Sequence, residues 1–240
     1  MDSYFQTAKY YDMLYRFKDY SGEAGAISKI IKGEVNSRDV SLLDIACGTG
    51  MHIKYFLENG FSAEGMDLSV PLLEIAREKN PGTVFHTGDM TCFDLDRKYS
   101  VITCLFSAIG YVETLSGLKS AAECMSDHLL PGGLLLVEPW FTPKAWKPHT
   151  VHVSIVEEPD LKIVRMNTSK VAGRISILDL HYLIGTPMET RHELETHRLG
   201  LFTRDEMLSA LEEVRLTVDF DPVGITGRGL YICRKEPVNA

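Results

Sequence analysis

Three carboxylates fall within or at the ends of short apolar runs, and together they could hold a nucleoside. Leu43-Asp44-Ile45-Ala46-Cys47-Gly48-Thr49-Gly50 reads as a strand entering a glycine-rich turn. Glycines at such a turn let the backbone approach a ligand, and the helix N-terminus that follows favours polar groups. Asp67 stands 17 residues after Gly50, at the end of a second apolar run, where an acid can accept both ribose hydroxyls. Gly88-Asp89-Met90 closes a third run; Asp89 can accept from an exocyclic adenine amine while Met90 covers the ring. Gly48 and Gly50 alone would fit any strand-to-helix turn, but their occurrence with Asp67 and Asp89 at two further strand ends points to a cofactor. For Asp44 two readings stand: it holds the turn through backbone hydrogen bonds, or it meets the cofactor's amino group.

A nicotinamide dinucleotide is the natural rival ligand, because Gly48-x-Gly50 begins its fingerprint. That fingerprint needs a small residue three positions after the second glycine, and position 53 is Ile. The tract His192-Glu193-Leu194-Glu195-Thr196-His197 has its histidines five apart, whereas a zinc-binding helix needs them four apart. No metal site is expected there. Five cysteines without paired spacing read as reduced thiols. His149, His152, His192 and His197 read as surface or flap residues without chemistry.

The elements that must position these groups alternate. Apolar strands at Val40–Ala46, Phe61–Met66, Thr83–Thr87, Tyr99–Leu105 and Leu134–Val137 are separated by helical stretches. Those at Met51–Asn59, the segment after Ser69 and Ser116–Leu129 end in glycine- or proline-bearing turns. The pattern predicts βαβ units and a parallel sheet. After Trp140 it breaks into segments near 151–157, 161–167, 174–184 and 190–198 that alternate apolar with polar, as antiparallel strands do. Thr203 and Glu206 form a capping box for a helix over Thr203–Val214. Leu216–Phe220 and Gly229–Arg234 are joined by too few residues for a helical crossover, so they should form an antiparallel hairpin. The expected fold is α/β and Rossmann-like, with a seven-stranded, mostly parallel sheet and that hairpin at its end. Residues 1–140 and 199–240 would form it, with an aromatic N-terminal lid that includes Tyr4, Phe5, Tyr11 and Tyr15. Residues 141–198 would be an inserted antiparallel β flap.

DIACGTG, Asp67, GDM and PGGLLLVEPW resemble class I S-adenosylmethionine-dependent methyltransferases. More narrowly, KDY, SAIGY, VEPWF, HRLGLFTRDEM and GRGLY resemble the N,N-dimethyltransferases that act on dTDP-linked amino sugars in macrolide biosynthesis. The resemblance runs over nearly the whole chain. It implies S-adenosylmethionine as cofactor, held by Lys18, Asp44, Ala46, Gly48, Gly50, Asp67, Leu68, Asp89, Met90 and Leu105. It also implies an early lid tyrosine against the substrate, for which Tyr11 is the choice. Tyr111 falls where some family members carry His, and its expected role is a positioning hydroxyl. Glu138 and Trp140, at the C-terminal rim of the fifth strand, either meet the acceptor or pack the flap. His181 and Tyr182 must face opposite ways on a flap strand, and Tyr182 is expected to look inward. Arg228, in an exposed turn with little local acid, would suit a diphosphate.

The expected activity is N-methylation, once and then twice, of a dTDP-linked 3-amino-6-deoxy sugar. Methylation of another small amine or hydroxyl is the alternative, and a non-catalytic adenosyl-binding partner the remote one. A net charge of −8 argues against nucleic acid. No apolar run is long enough to span a bilayer, and the N-terminus lacks a signal-peptide pattern, so a cytoplasmic protein is expected. A homodimer is compatible with flap strands extending a sheet across two copies.

Overall fold

The computed structural model describes residues 7–37 and 39–237, so Tyr4 and Phe5 of the aromatic start lie outside the described residues. A 3₁₀ turn, Ala8–Tyr10, leads into the short helix α1 (Tyr11–Leu14). Helix α2 (Tyr20–Glu34) begins where the Asp19 side chain accepts the Gly22 amide at 2.9 Å. The alternation then runs β1 (Ser41–Ile45), α3 (Met51–Glu58), β2 (Ser62–Asp67), α4 (Val70–Lys79), β3 (Phe85–Thr87) and β4 (Tyr99–Cys104). Ser69 precedes α4 without capping it through its side chain; Pro71, in the first turn, supplies the helical start. A second 3₁₀ turn, Ala108–Val112, precedes α5 (Leu115–Asp127), whose first turn is capped by Thr114.

Strand β5 (Leu129–Val137) is longer than expected: Pro131-Gly132-Gly133 lies within it, and its register against β4 shifts there. Four long strands follow, β6 (Val151–Glu158), β7 (Leu161–Ala172), β8 (Ile175–Gly185) and β9 (Thr190–Gly200), forming one antiparallel sheet in that order. The chain ends with α6 (Arg204–Glu213), begun by the Thr203–Glu206 capping box, and the hairpin β10 (Leu216–Asp221) and β11 (Leu230–Lys235).

The main sheet has the order β10-β11-β5-β4-β1-β2-β3, with β11 antiparallel to both neighbours and the other five central strands parallel. Each face is covered. Leu43, Ile45, Ile102 and Leu135 pack toward α5 and α6, while Leu42, Val101, Leu134 and Leu136 pack toward α2 and α3. Both faces of the parallel strands are therefore apolar, the pattern such strands require. The chain reverses its winding between β1 and β4, so a crevice opens outside their C-terminal ends.

The flap sheet closes over that crevice with the lid as its wedge. Tyr10 and Leu14 pack against Val156, Ile163, Leu180, Tyr182 and Ile184 of the flap's inner face. From the other side of the same helix, Asp12 accepts the Thr49 hydroxyl at 2.7 Å and pairs with Lys79. Helix α1 thus ties the glycine turn to the flap. Among the described residues, no helix is long and apolar enough to cross a membrane.

Candidate functional site

The crevice is a cavity of about 1560 Å³ between the C-terminal ends of the parallel strands, the lid and the flap. A single small-molecule site typically occupies ~300–1,000 Å³, so this one has room for a cofactor and an acceptor together. Its lining divides accordingly. Ala46, Gly48, Asp67, Leu68, Asp89, Met90 and Leu105 form the sheet rim, while Tyr111, Trp140, Arg165, His197 and Arg228 stand on the flap side, with Tyr11 from the lid.

The rim gathers a glycine turn, two carboxylates and apolar side chains. Gly48 has a φ of +56°, and a Cβ there would meet no protein atom within 4 Å, so the glycine leaves open a cradle that a side chain would fill. Asp67 accepts the Gly48 amide at 2.8 Å through one oxygen and the Ser69 amide at 2.8 Å through the other. These bonds fix the carboxylate at the cavity edge, where its oxygens face the space a ligand would fill. Asp89 is oriented by accepting both the amide and the hydroxyl of Thr91, each at 2.8 Å. Leu68 and Met90 add apolar lining. The donor set therefore fits S-adenosylmethionine.

Several expected cofactor contacts lie elsewhere. Gly50 caps α3 at φ +70°, and a Cβ there would press on Asn80 Nδ2 at 2.8 Å and Ala76 Cβ at 3.1 Å. It is glycine for helix packing and does not line the cavity. Lys18 is buried in an ion pair with Glu23, with its ammonium 4.4 Å from the centre of the Phe106 ring. Its charge is paired with the first turn of α2. Asp44 lies beneath the turn and accepts the Thr103 hydroxyl at 2.6 Å; burial pushes its carboxyl up to about 6. That partner is a side chain of β4, whereas the structural reading expected the backbone of the turn.

Glu138 also sits behind the cavity wall. It is fully buried, accepts the Phe106 amide at 2.7 Å and the Thr226 hydroxyl, and lies 3.3 Å from Arg228. Phe106 and Ser107 have φ of +52° and +61°, a conformation that costs non-glycine residues energy and needs enforcing. Glu138 holds the first, and Ser107 anchors itself by donating to the Pro139 carbonyl at 2.7 Å. The turn that results places Phe106 in the cavity wall, between Tyr15, Lys18 and Arg228. Arg228 accordingly has an acidic partner and a mostly buried side chain, unlike the open turn expected for it.

On the acceptor side, Trp140 forms a wall, its indole N–H donating to Ser176 Oγ at 2.8 Å and its ring packing on Phe141 and Trp146. Tyr11 lines the lid side, and burial among Tyr15, Tyr20 and Tyr111 pushes its hydroxyl well above the usual range, so it stays protonated. Tyr182 faces inward, as the strand alternation requires, while His181 faces out and stacks on His192. Tyr182 lies under the cavity floor, however, against Glu195 and Arg165.

The residues missed were Arg165, Glu195 and His197. His197 is buried and lines the cavity, with Nδ1 2.7 Å from the Tyr111 hydroxyl and Nε2 3.7 Å from Glu195. Glu195 pairs with Leu180, an inward residue, so the odd-numbered positions of β9 must face in. The alternation predicts a strand over 190–198 but not which face turns inward, because Leu194, its apolar residue, is an even position and is exposed.

A methyltransferase-domain family matches residues 42–133, which cover the glycine turn through α5 and into β5. The chain is 38% identical to the dTDP-3-amino-3,6-dideoxy-alpha-D-glucopyranose N,N-dimethyltransferase of Streptomyces fradiae, covering 94% of this chain and 89% of the relative. It is 33% identical to the dTDP-3-amino-3,4,6-trideoxy-alpha-D-glucopyranose N,N-dimethyltransferase of Streptomyces venezuelae, with 94% and 96% covered. Among solved structures, Streptomyces venezuelae DesVI superposes with a TM-score of 0.88 at 33% identity, over 96% of this chain and 98% of that one. The S-adenosylmethionine-bound amino pentose methyltransferase CalS10 of Micromonospora echinaspora gives 0.84 at 32% identity, over 97% and 98%. With the rim, the flap and the sequence in agreement over nearly its whole length, the chain belongs to the S-adenosylmethionine-dependent methyltransferases, within the family of the dTDP-amino-sugar N,N-dimethyltransferases.

Proposed function

We propose that the chain methylates, once and then again, the amine of a dTDP-linked 3-amino-6-deoxy sugar. The observation that carries this reading is the 38% identity to a 3-amino-sugar dimethyltransferase over 94% of the chain, joined to a cavity large enough for both substrates. In this reading Ala46, Gly48, Asp67, Leu68, Asp89, Met90 and Leu105 hold the adenosyl group. Tyr11, Tyr111 and Trp140 surround the amino sugar, and Arg165 and Arg228 offer guanidinium groups to the diphosphate. S-adenosylmethionine supplies a methyl already activated by its sulfonium charge.

The chain's own residues align and enclose. Alignment of two reactants can contribute ~7–11 kcal/mol to the barrier. Helix α1, held to Thr49 on one side and to the flap on the other, closes the cavity against water. The Glu138-held turn fixes the Phe106 wall. A neutral amine can then attack in line without a strong base.

The same reading places the enzyme in antibiotic biosynthesis and in the cytoplasm, where five free thiols would persist. It also takes the enzyme as a homodimer. Val151, Val153, Ile155, Met166 and Leu183 leave an exposed apolar surface on the flap's outer face, which suits face-to-face packing of two flaps better than edge extension. Light scattering of purified protein gives twice the monomer mass if so, and the monomer mass if not.

The direct experiment is mass spectrometry of the protein with S-adenosylmethionine and a panel of dTDP-linked 3- and 4-amino-6-deoxy sugars. Successive gains of one and two methyl masses on a 3-amino sugar are expected. No gain on any sugar by protein that binds the cofactor would send the search for the acceptor elsewhere.

A further inference from the structure

We infer that His197 and Glu195 form, with Tyr111, a relay that carries the proton of the methylated amine away from the site, and that this relay governs the second methylation. The inference rests on the amino-sugar reading above. It concerns residues on flap strand β9, whereas the cofactor contacts come from the main sheet.

The geometry is a chain of groups leading from the cavity into buried structure. Tyr111 is 38% exposed at the cavity wall, and its hydroxyl meets His197 Nδ1 at 2.7 Å. His197 Nε2 lies 3.7 Å from one Glu195 oxygen, and the other Glu195 oxygen accepts the Thr7 hydroxyl at 2.6 Å. Both His197 and Glu195 are buried. A buried acid beside the far nitrogen favours the tautomer with the proton on Nε2, which leaves Nδ1 as acceptor for the Tyr111 hydroxyl. A surface histidine without chemistry would need no such arrangement.

Other polar and charged groups surround the ring. Tyr182 of β8 hydrogen-bonds with Glu195, and Arg165 of β7 lies against Tyr182 and Tyr15. Tyr11 of α1 lies near Tyr111, and the Arg198–Glu113 pair flanks the outer side of the same strand. Glu195 is the carboxylate nearest the ring, and it would offset the charge of an imidazolium.

The step balances as follows. The amine lone pair forms the N–CH₃ bond as the S–CH₃ bond breaks, giving a thioether and an ammonium. The ammonium gives a proton to the Tyr111 oxygen as that hydroxyl gives its own to His197 Nδ1. The imidazolium is stabilised by Glu195 and releases its proton to solvent through the cavity that His197 lines. A first methylation can proceed on an amine that arrives neutral, whereas a second needs the proton of the first product removed. The relay should therefore weigh most on the second step. Tyr111 would touch the substrate, and His197 acts through it as a positioning and proton-accepting residue.

The test follows both methylations by mass spectrometry across pH 6–9, with a sugar the wild type dimethylates. His197→Asn keeps a polar group near the Nδ1 position but cannot hold the proton. It should slow the second transfer by on the order of 10²-fold, the lower end for general-base removal. It should also remove the low-pH limb of kcat for that step and make the monomethyl product accumulate, with the KM for S-adenosylmethionine unchanged. Tyr111→Phe, at an exposed ring that tolerates the change, should do the same, and the double variant should be no slower than Tyr111→Phe alone. If either variant dimethylates with the wild-type pH profile and ratio of steps, the relay is overturned. If His197→Asn does not fold, Tyr111→Phe alone decides by the same readout. Wild-type protein that methylates no amino sugar would overturn the amino-sugar reading instead, so the two failures are distinct.

Discussion

The carboxylate of Glu138 accepts the amide of Phe106 at 2.7 Å, although the two are 32 residues apart and Phe106 stands at φ +52°. One buried acid thereby enforces a backbone conformation that the loop would not hold by itself. The same carboxylate takes the Thr226 hydroxyl and faces Arg228, so it links the ends of β4, β5 and the terminal hairpin behind a single wall of the cavity.

Glu138→Ala is therefore expected to cost both stability and activity. It leaves a buried amide and a mostly buried guanidinium without their acceptor, a loss of ~3–5 kcal/mol when a buried pair is broken. Glu138→Gln keeps an oxygen for the amide and should cost less than half as much. Thermal melts of the two variants check this; equal and small shifts would show that the turn holds without the acid.

Gly48 and Gly50 should respond differently to alanine, although the sequence presents them as one motif. Gly50→Ala forces a Cβ against Asn80 and Ala76 at positive φ, so the melting temperature should fall with the KM for S-adenosylmethionine little changed. Gly48→Ala adds its Cβ to empty cavity, so the protein should lose ~1 kcal/mol for the left-handed backbone but bind the cofactor at least tenfold more weakly. Melts paired with calorimetric titration separate the two; matching profiles would undo the assignment.

Arg165→Met should act on the acceptor alone. The guanidinium is buried on β7, lines the cavity and stands over the Tyr15 ring, and a methionine conserves its length without the charge. If it meets the diphosphate, losing a charge-assisted bond of ~1.5–3 kcal/mol raises the KM for the nucleotide sugar ten- to a hundredfold. The KM for S-adenosylmethionine should not move. An unchanged KM for the sugar would place the diphosphate away from this strand.

How much of this was legible in the sequence follows from how local each signal is. The βαβ alternation, the hairpin and the Thr203 capping box are set by neighbours in sequence, and the structure has them within a few residues. That Asp67 and Asp89 would stand at the cavity rim was legible because strand ends are local too. Glu138 and Lys18 were not, because an acid at a strand end and a lysine beside an aromatic look alike whether they face a ligand or a distant backbone amide. Only the fold brings Phe106 to both Glu138 and Lys18. That His197 shares a face with Glu195 was legible through the alternation, but which face turns inward was not, and its partner Tyr111 lies 86 residues away.

Asp44 gives a prediction in pH. Burial raises its carboxyl from 3.8 to about 6. Below pH ~4 the group is protonated in both the folded and the unfolded chain, so it costs nothing. As pH rises the unfolded chain releases its proton first, and the native state follows only near pH 6. Stability is therefore lost across that window, by roughly 3 kcal/mol above it at 1.36 kcal/mol per pKa unit. Asp44→Asn keeps an oxygen for the Thr103 hydroxyl and carries no charge. The gap in melting temperature between variant and wild type should therefore be near zero at pH 4, widen to pH 6 and stay constant beyond it. A gap independent of pH would mean that the buried carboxylate is not strained by its surroundings. Repeating the series with saturating S-adenosylmethionine also decides between the two readings of this residue. A gap that closes with the cofactor places the methionine ammonium beside Asp44, because an opposite charge there restores the ionised form. A gap that persists leaves Asp44 as a structural group paired with Thr103.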